Sequence, residues 1–306
     1  MQVNDDLWIF PGQGGQRAGM LEQVPADLKK YVSDLLDMEL LDSDAGYQDS
    51  VQIQVSITLL QVFEIQQLFD LGLKPGLAAG HSLGVFPAAY ALGCMSLEDV
   101  FKSVKYRAEL MKESFPAGYG MGAINGLSLQ DVDEIVQQVT TSDAPVFTSN
   151  QNSALQICVS GSLNAIDQVL KLAQDLGAAK AIRLRVPVPS HSPLMNDVAK
   201  KMKDYLNVVQ IKAPQGVYLA NDTGHSVRQS ELIRQDLSDN IAYPVHFWEM
   251  MSVASNYQPK VLVDFQPGSP FKAVLGEYFS EQHQVNLNQM TIEDAAYLIK
   301  KWKRGS

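Results

Sequence analysis

The sequence predicts an α/β protein: a large subdomain of strands and helices with a small mixed subdomain inserted into it. Two stretches carry that expectation. Gly80-His81-Ser82-Leu83-Gly84 sits between an apolar run, Leu77-Ala78-Ala79, and a helix-like run from Val85 to Leu92, the strand-turn-helix setting of a nucleophile elbow. Between Tyr119 and Pro187 the pattern reads β-α-β-β-α-β, the ferredoxin-like order, in a span compact enough to be an insert.

A chain of 306 residues, 46% hydrophobic and 19% charged, can form one large domain carrying a smaller one. Its formal charge of −10 lacks the basic footprint that phosphate backbones require, so nucleic acid is not an expected partner. The segment Met1-Gln2-Val3-Asn4-Asp5-Asp6 is acidic where a secretory signal is positive, and no apolar run approaches a membrane span, so a cytoplasmic location is expected. Cys94 and Cys158 belong to no Cys-x-x-Cys or Cys/His spacing and read as free, buried thiols. No metal and no bound cofactor are expected.

In chain order, Leu7-Trp8-Ile9-Phe10 reads as a short buried strand running into a glycine-rich loop, Pro11-Gly12-Gln13-Gly14-Gly15-Gln16. No Gly-Lys-Ser/Thr ends that loop and it lacks dinucleotide G-x-G-x-x-G spacing, so it is not a phosphate loop. It brings backbone amides close to something else. Val55, Leu59, Val62, Phe63 and Phe69 recur at helical spacing and predict a helix over 51–71, stopped by Gly72 and Pro75-Gly76. Ser96, with Asp99 three residues on, is a good N-cap for a helix to about Ser114 that carries Arg107. Inside the insert, strands are expected at 121–124, 146–148, 155–160 and 181–186, and helices at 129–139 and 164–176. A helix to about Tyr205, further strands and a turn at Gln266-Pro267-Gly268-Ser269-Pro270 follow.

Read alone, Ser82 has two explanations. It is a nucleophile pushed outward by a strained turn, or a serine between glycines that caps a buried helix. Four separated pieces favour the first: Phe10-Pro11-Gly12-Gln13-Gly14 with Gln16, the elbow itself, Tyr106-Arg107, and Val188-Pro189-Ser190-His191. In that order and spacing, with Asn150, Asn152, Gln156 and Ser160-Gly161 in the insert, the chain resembles the malonyl-CoA:acyl-carrier-protein transacylase family over essentially its whole length.

The resemblance implies an α/β-hydrolase-like catalytic subdomain from 1–118 and 188–306, a ferredoxin-like subdomain at 119–187, and an active site in the cleft between them. It implies ping-pong transfer of malonyl from malonyl-CoA, through a malonyl-serine, to the prosthetic thiol of an acyl carrier protein. Ser82 would attack the thioester, His191 would be its base, and Arg107 would hold the malonyl carboxylate. The amides of Gln13 and Leu83 would form the oxyanion hole, and Asn240, before Tyr243-Pro244-Val245, would orient the histidine mainly through its backbone oxygen. Each role suits its residue: serine needs an imidazole to become nucleophilic, amides at a helix start suit an oxyanion, and a guanidinium fork suits a carboxylate.

Two positions depart from the family pattern. Val85-Phe86-Pro87 stands where relatives often have Glu and an aromatic, so the helix starts late or loses a bond at Pro87. Asn240 stands where many have Gln. Two further stretches, Phe10 to Leu21 with Arg17 and Pro116-Ala117-Gly118-Tyr119-Gly120-Met121, resemble the transacylase (epsilon) subunit of malonate decarboxylase, which would add that enzyme's subunits as partners. Lys102, Lys105, Arg183, Lys200 and Lys201 are candidates for a basic patch facing an acidic carrier. Competing readings are the same transacylase in fatty-acid or polyketide synthesis, a serine thioesterase or hydrolase, and a non-catalytic docking subunit.

Overall fold

The computed structural model describes residues 6–268 and 270–304. Residues 1–5, which bear on the expected absence of a signal, lie outside the described residues, as does Ser269 of the expected turn. Strand β1 (Asp6–Phe10) leads through α1 (Ala26–Leu36) and α2 (Ser50–Asp70) to β2 (Leu77–Gly80), followed by α3 (Val85–Ala91) and α4 (Leu97–Ser114). The next six elements are β3 (Tyr119–Asn125), α5 (Leu129–Val139), β4 (Val146–Ser153), β5 (Gln156–Ser162), α6 (Leu163–Asp175) and β6 (Lys180–Arg183). The chain closes with α7 (Asn196–Leu206), β7 (Val217–Leu219), β8 (Ser226–Val227), α8 (Ser230–Asp239), α9 (Phe247–Ser255), β9 (Val261–Asp264), α10 (Lys272–Tyr278), β10 (His283–Asn286) and α11 (Ile292–Arg304).

The larger sheet has the order β10-β9-β1-β2-β7-β8, parallel except for the β7-β8 pair. It is buried on both faces, which is why β1 is a continuous apolar run instead of an alternating one. Trp8 and Phe10 face the core beside α2, whereas Leu7 and Ile9 face a second core built with α9 and α10. Their alternation is the two-residue period of a strand.

The smaller sheet has the order β4-β5-β3-β6, every pair antiparallel, with α5 and α6 covering one face. This is the expected β-α-β-β-α-β unit, joined to an α/β sheet. Two strand limits differ from expectation by three residues or more. The strand expected at 146–148 runs on to Ser153, because its polar continuation pairs with β5 through bulges and then with Val245, whose N–H donates to the Ser149 carbonyl (2.9 Å) and whose carbonyl accepts from Gln151 N–H (2.9 Å). The strand expected to reach Val186 ends at Arg183, the last residue paired with β3, opposite Gly122.

Helix starts obey local chemistry. Ser96 Oγ accepts from Asp99 N–H at 3.1 Å, the expected N-cap of α4. Pro87 is the third residue of α3, where an amide has no intrahelical acceptor to lose, so the helix accommodates it without a missing bond.

Candidate active site

The turn between β2 and α3 is forced by its glycines. A Cβ on Gly80 would lie 2.2 Å from the Gly84 carbonyl, and one on Gly84 would lie 2.1 Å from the Phe10 carbonyl. Only glycines allow this approach. Between them Ser82 adopts φ +53°, the left-handed region that costs a non-glycine residue strain. The turn continues as a 3-10 helix over Ser82–Gly84 into α3.

That geometry turns the Ser82 hydroxyl toward His191, whose Nε2 is 2.8 Å from Ser82 Oγ. His191 Nδ1 is 2.6 Å from the Asn240 carbonyl oxygen. A carbonyl can only accept, so Nδ1 carries the proton and Nε2 presents its lone pair to the serine. The His191 N–H donates to the Ile241 carbonyl at 2.6 Å, fixing the ring's backbone as well. Burial, with the nearby charge of Arg107 and the proximity of His81, pushes the imidazole down to about 3, so it is neutral at physiological pH. The Asn240 side chain is elsewhere: its Nδ2 donates to the Asp236 carbonyl at 2.7 Å.

Arg107, on α4, is 1% exposed. Its Nη2 donates to Ser82 Oγ at 3.3 Å and its Nη1 to Gln54 Oε1 at 2.5 Å, while Nε has no acceptor. No carboxylate of the described residues forms an ion pair with it, and burial lowers its pKa to about 10. A guanidinium buried without a counter-charge is costly unless an anion joins it.

The glycine-rich loop lies on the elbow. A Cβ on Gly12 would sit 2.8 Å from the His81 carbonyl and 3.6 Å from Ser82 Cβ, and Gln61 Nε2 holds the loop by donating to the Pro11 carbonyl at 2.9 Å. Gln13 follows in this loop. Leu83 is the second residue of the 3-10 turn, where helix geometry leaves amides without intrahelical acceptors. His81 turns away from the serine: its Nε2 lies 2.8 Å from Asn152 Oδ1 and 3.4 Å from Asn150 Nδ2 in the smaller sheet, and its ring packs on Phe247 and Phe271. It therefore ties the elbow to the inserted unit.

Ser82, His191, Arg107 and the Asn240 carbonyl are thus brought together, with the Gln13 loop against them. Gln54 and Asn221, whose Oδ1 accepts from the Ser82 N–H at 2.8 Å, were not singled out by the sequence. The only available signal for Gln54 was a polar residue interrupting an apolar run. The five candidate basic residues do not form one free patch. Lys102 pairs with Glu98 at 2.5 Å, Lys105 with Glu109 at 2.5 Å, and Arg183 with Asp167; Lys200 and Lys201 are exposed on α7. Among the described residues no group of three or more His, Cys, Asp or Glu could hold a metal ion, and no helix is long and apolar enough to cross a membrane.

A family model described as "Acyl transferase domain" matches residues 7–304. The chain belongs to that family. This acyl transferase is 31% identical over 279 residues to the malonyl CoA-acyl carrier protein transacylase of Bacillus subtilis, covering 85% of this chain and 86% of that protein. It is 28% identical over 307 residues to the Staphylococcus aureus protein of the same name, covering 96% and 97%. The solved FabD of Acinetobacter baumannii superposes with a TM-score of 0.89 at 29% identity, covering 97% of this chain and 98% of that one. A malonyl-transacylase solved in complex with a type II PKS acyl-carrier protein superposes with a TM-score of 0.89 at 25% identity, covering 96% and 99%.

Proposed function

We propose that this acyl transferase moves a malonyl group from malonyl-CoA to the thiol of an acyl carrier protein through a malonyl-Ser82 intermediate. The observation that carries the reading is Arg107, a buried guanidinium with no carboxylate partner among the described residues, whose Nη2 stands 3.3 Å from the nucleophilic oxygen. A donor with an acyl carbonyl at one end and a carboxylate at the other satisfies both positions at once. The malonyl names of the relatives support the same donor.

In this mechanism Ser82 Oγ attacks the thioester carbonyl as its proton passes to His191 Nε2. The amides of Gln13 and Leu83 receive the developing oxyanion. The C–S bond then breaks, the coenzyme A thiolate takes the proton from His191, and malonyl-Ser82 remains. The carrier thiol repeats the steps in reverse. Pairing Arg107 with the malonyl carboxylate also offsets one of the charges that depress His191, so the correct donor makes the base stronger.

The carrier is the finer question. The stretches Phe10 to Leu21 and Pro116 to Met121 favour the carrier protein and subunits of malonate decarboxylase, whereas the type II PKS complex among the structural relatives favours a synthase carrier. Intact-mass analysis after mixing with malonyl-CoA should show one malonyl per chain, absent from Ser82→Ala. Presenting carriers of each kind to the malonyl-enzyme then ranks them by rate. A Ser82→Ala protein still carrying one equivalent would overturn the assignment, and hydrolysis in place of transfer to any carrier would return the protein to the thioesterase reading.

A further inference from the structure

The elbow is held from behind by a side chain. Past the last paired residues of β2 and β7, Ala79 and Leu219, the ladder is continued by the Asn221 carboxamide instead of by backbone. Asn221 Oδ1 accepts from the Ser82 N–H at 2.8 Å and Nδ2 donates to the Gly80 carbonyl at 2.6 Å. The amide can point only one way, because one neighbour is a donor and the other an acceptor. It thus clamps the two peptide units on either side of His81, and so holds the amide that leads into Ser82, the residue with the strained φ of +53°.

Asn221 is itself fixed by α8. Asp236 Oδ1 accepts from the Asn221 N–H at 2.7 Å and the Asp222 N–H at 3.3 Å, and Oδ2 accepts from Tyr218 O–H at 2.6 Å. Asn221, Asp236 and Tyr218 are all buried, so water cannot replace these bonds. The same helix is capped at its C-terminus by Asn240, whose carbonyl accepts from His191 Nδ1–H and whose side chain bonds back to the Asp236 carbonyl. Nucleophile and base therefore hang from one helix: the serine through Asp236 and Asn221, the histidine through the carbonyls of Asn240 and Ile241.

We propose that Asn221 and Asp236 are positioning residues that set the Ser82–His191 separation by locking the elbow amide to the helix that carries the histidine's acceptor. This rests on reading Ser82 as the nucleophile and His191 as its base. Removing the brace lets the strained turn relax, and a displacement of about 1 Å at a reacting atom is worth on the order of 100-fold in rate. The binding of the acyl donor, which runs through Arg107, is untouched.

The test measures the rate at which a small fluorophosphonate labels Ser82, counted per titratable site, beside kcat and KM for malonyl-CoA. Asn221→Ala and Asp236→Ala should slow labelling by about 10- to 100-fold and lower kcat similarly with KM unchanged. Asp236→Asn, which keeps an acceptor for the Asn221 N–H, should recover most of the rate. Asn221→Asp, matched in size and carrying the decision if the alanine variant does not fold, keeps the acceptor but sets a carboxylate against the Gly80 carbonyl and should also be slow. Labelling of either Asn221 variant at the parent rate, or an Asp236→Asn protein as slow as Asp236→Ala, overturns the proposal. A parent protein that reacts with the fluorophosphonate but not with malonyl-CoA would sink the transfer reading and leave this one standing.

Discussion

On the proposed reading Arg107 decides between acyl groups, because no carboxylate among the described residues pairs with its buried charge. With acetyl in the pocket the guanidinium remains buried and uncompensated, and breaking or failing to form such a pair costs about 3–5 kcal/mol. Arg107→Ala should therefore lose malonyl transfer while acetyl transfer holds or rises, read by mass spectrometry of the acyl-enzyme after competition between the two donors. Lysine should rescue only in part, since it keeps the charge without the planar fork. The same substitution removes a charge that depresses His191, so the acid limb of acetyl acylation should move to higher pH. An unchanged malonyl preference would show that Arg107 is not the clamp. The meeting of Ser82, His191, Arg107 and the Asn240 carbonyl was legible through the resemblance to the transacylase family, since only the elbow around Ser82 has a meaning of its own in the sequence. Gln54 and Asn221 were not, since a buried carboxamide takes its meaning from partners 53 and 139 residues away.

Helix α2 shows where reading by element stops. Its apolar spacing predicted a helix, and the helix is there, but residues 51–65 are buried on every side instead of along one stripe. Several polar residues are consequently inside it, and they hold the site from below: Gln54 on Arg107, Gln61 on the Pro11 carbonyl, and Glu64, which accepts from the Gln266 N–H and Nε2 at 3.2 and 2.7 Å. Burial, opposed by those two hydrogen bonds and aided by Asp264, raises Glu64 from 4.5 to about 8. Between these values the folded chain keeps a proton that the unfolded chain has lost, so this contribution to stability is full below about pH 4.5 and is lost as pH rises through about 8. Asp236, raised to about 7, acts in the same direction, whereas His191, lowered to about 3, acts in the opposite one. Removing only the first effect, Glu64→Gln should show a melting temperature that gains on the parent from about pH 5 to about pH 8 and levels off above it. Parallel melting curves across that range would mean that Glu64 is ionised throughout.

On the scale of the whole molecule, the order of elements was readable where strands carry an apolar run, as Leu7-Trp8-Ile9-Phe10 and Leu77-Ala78-Ala79 do, and not where they are short and polar, as β8 and β10 are. The seam between the two sheets was not, since it consists of backbone bonds from β4 to Val245 and of polar side chains, Asn150 and Asn152, on His81. Charge distribution was equally hidden, because only packing reveals which lysines are already neutralised. A protein of net charge −10 must offer an acidic carrier a local patch of opposite sign. Helices α4 and α7 lie side by side through the Tyr106–Tyr205 ring contact at 4.7 Å, which sets Lys200 and Lys201 beside a helix whose own Lys102 and Lys105 are spent on Glu98 and Glu109. Arg183 is on the other sheet and paired with Asp167. The two α7 lysines are then the candidates with charge to spare. Reversing both, Lys200→Glu with Lys201→Glu, should raise the KM for carrier protein several-fold, more at low ionic strength than at high, and leave the KM for malonyl-CoA alone. Equal effects on both substrates would place the lysines at the coenzyme A entrance instead, and no effect on either would move the docking surface off α7.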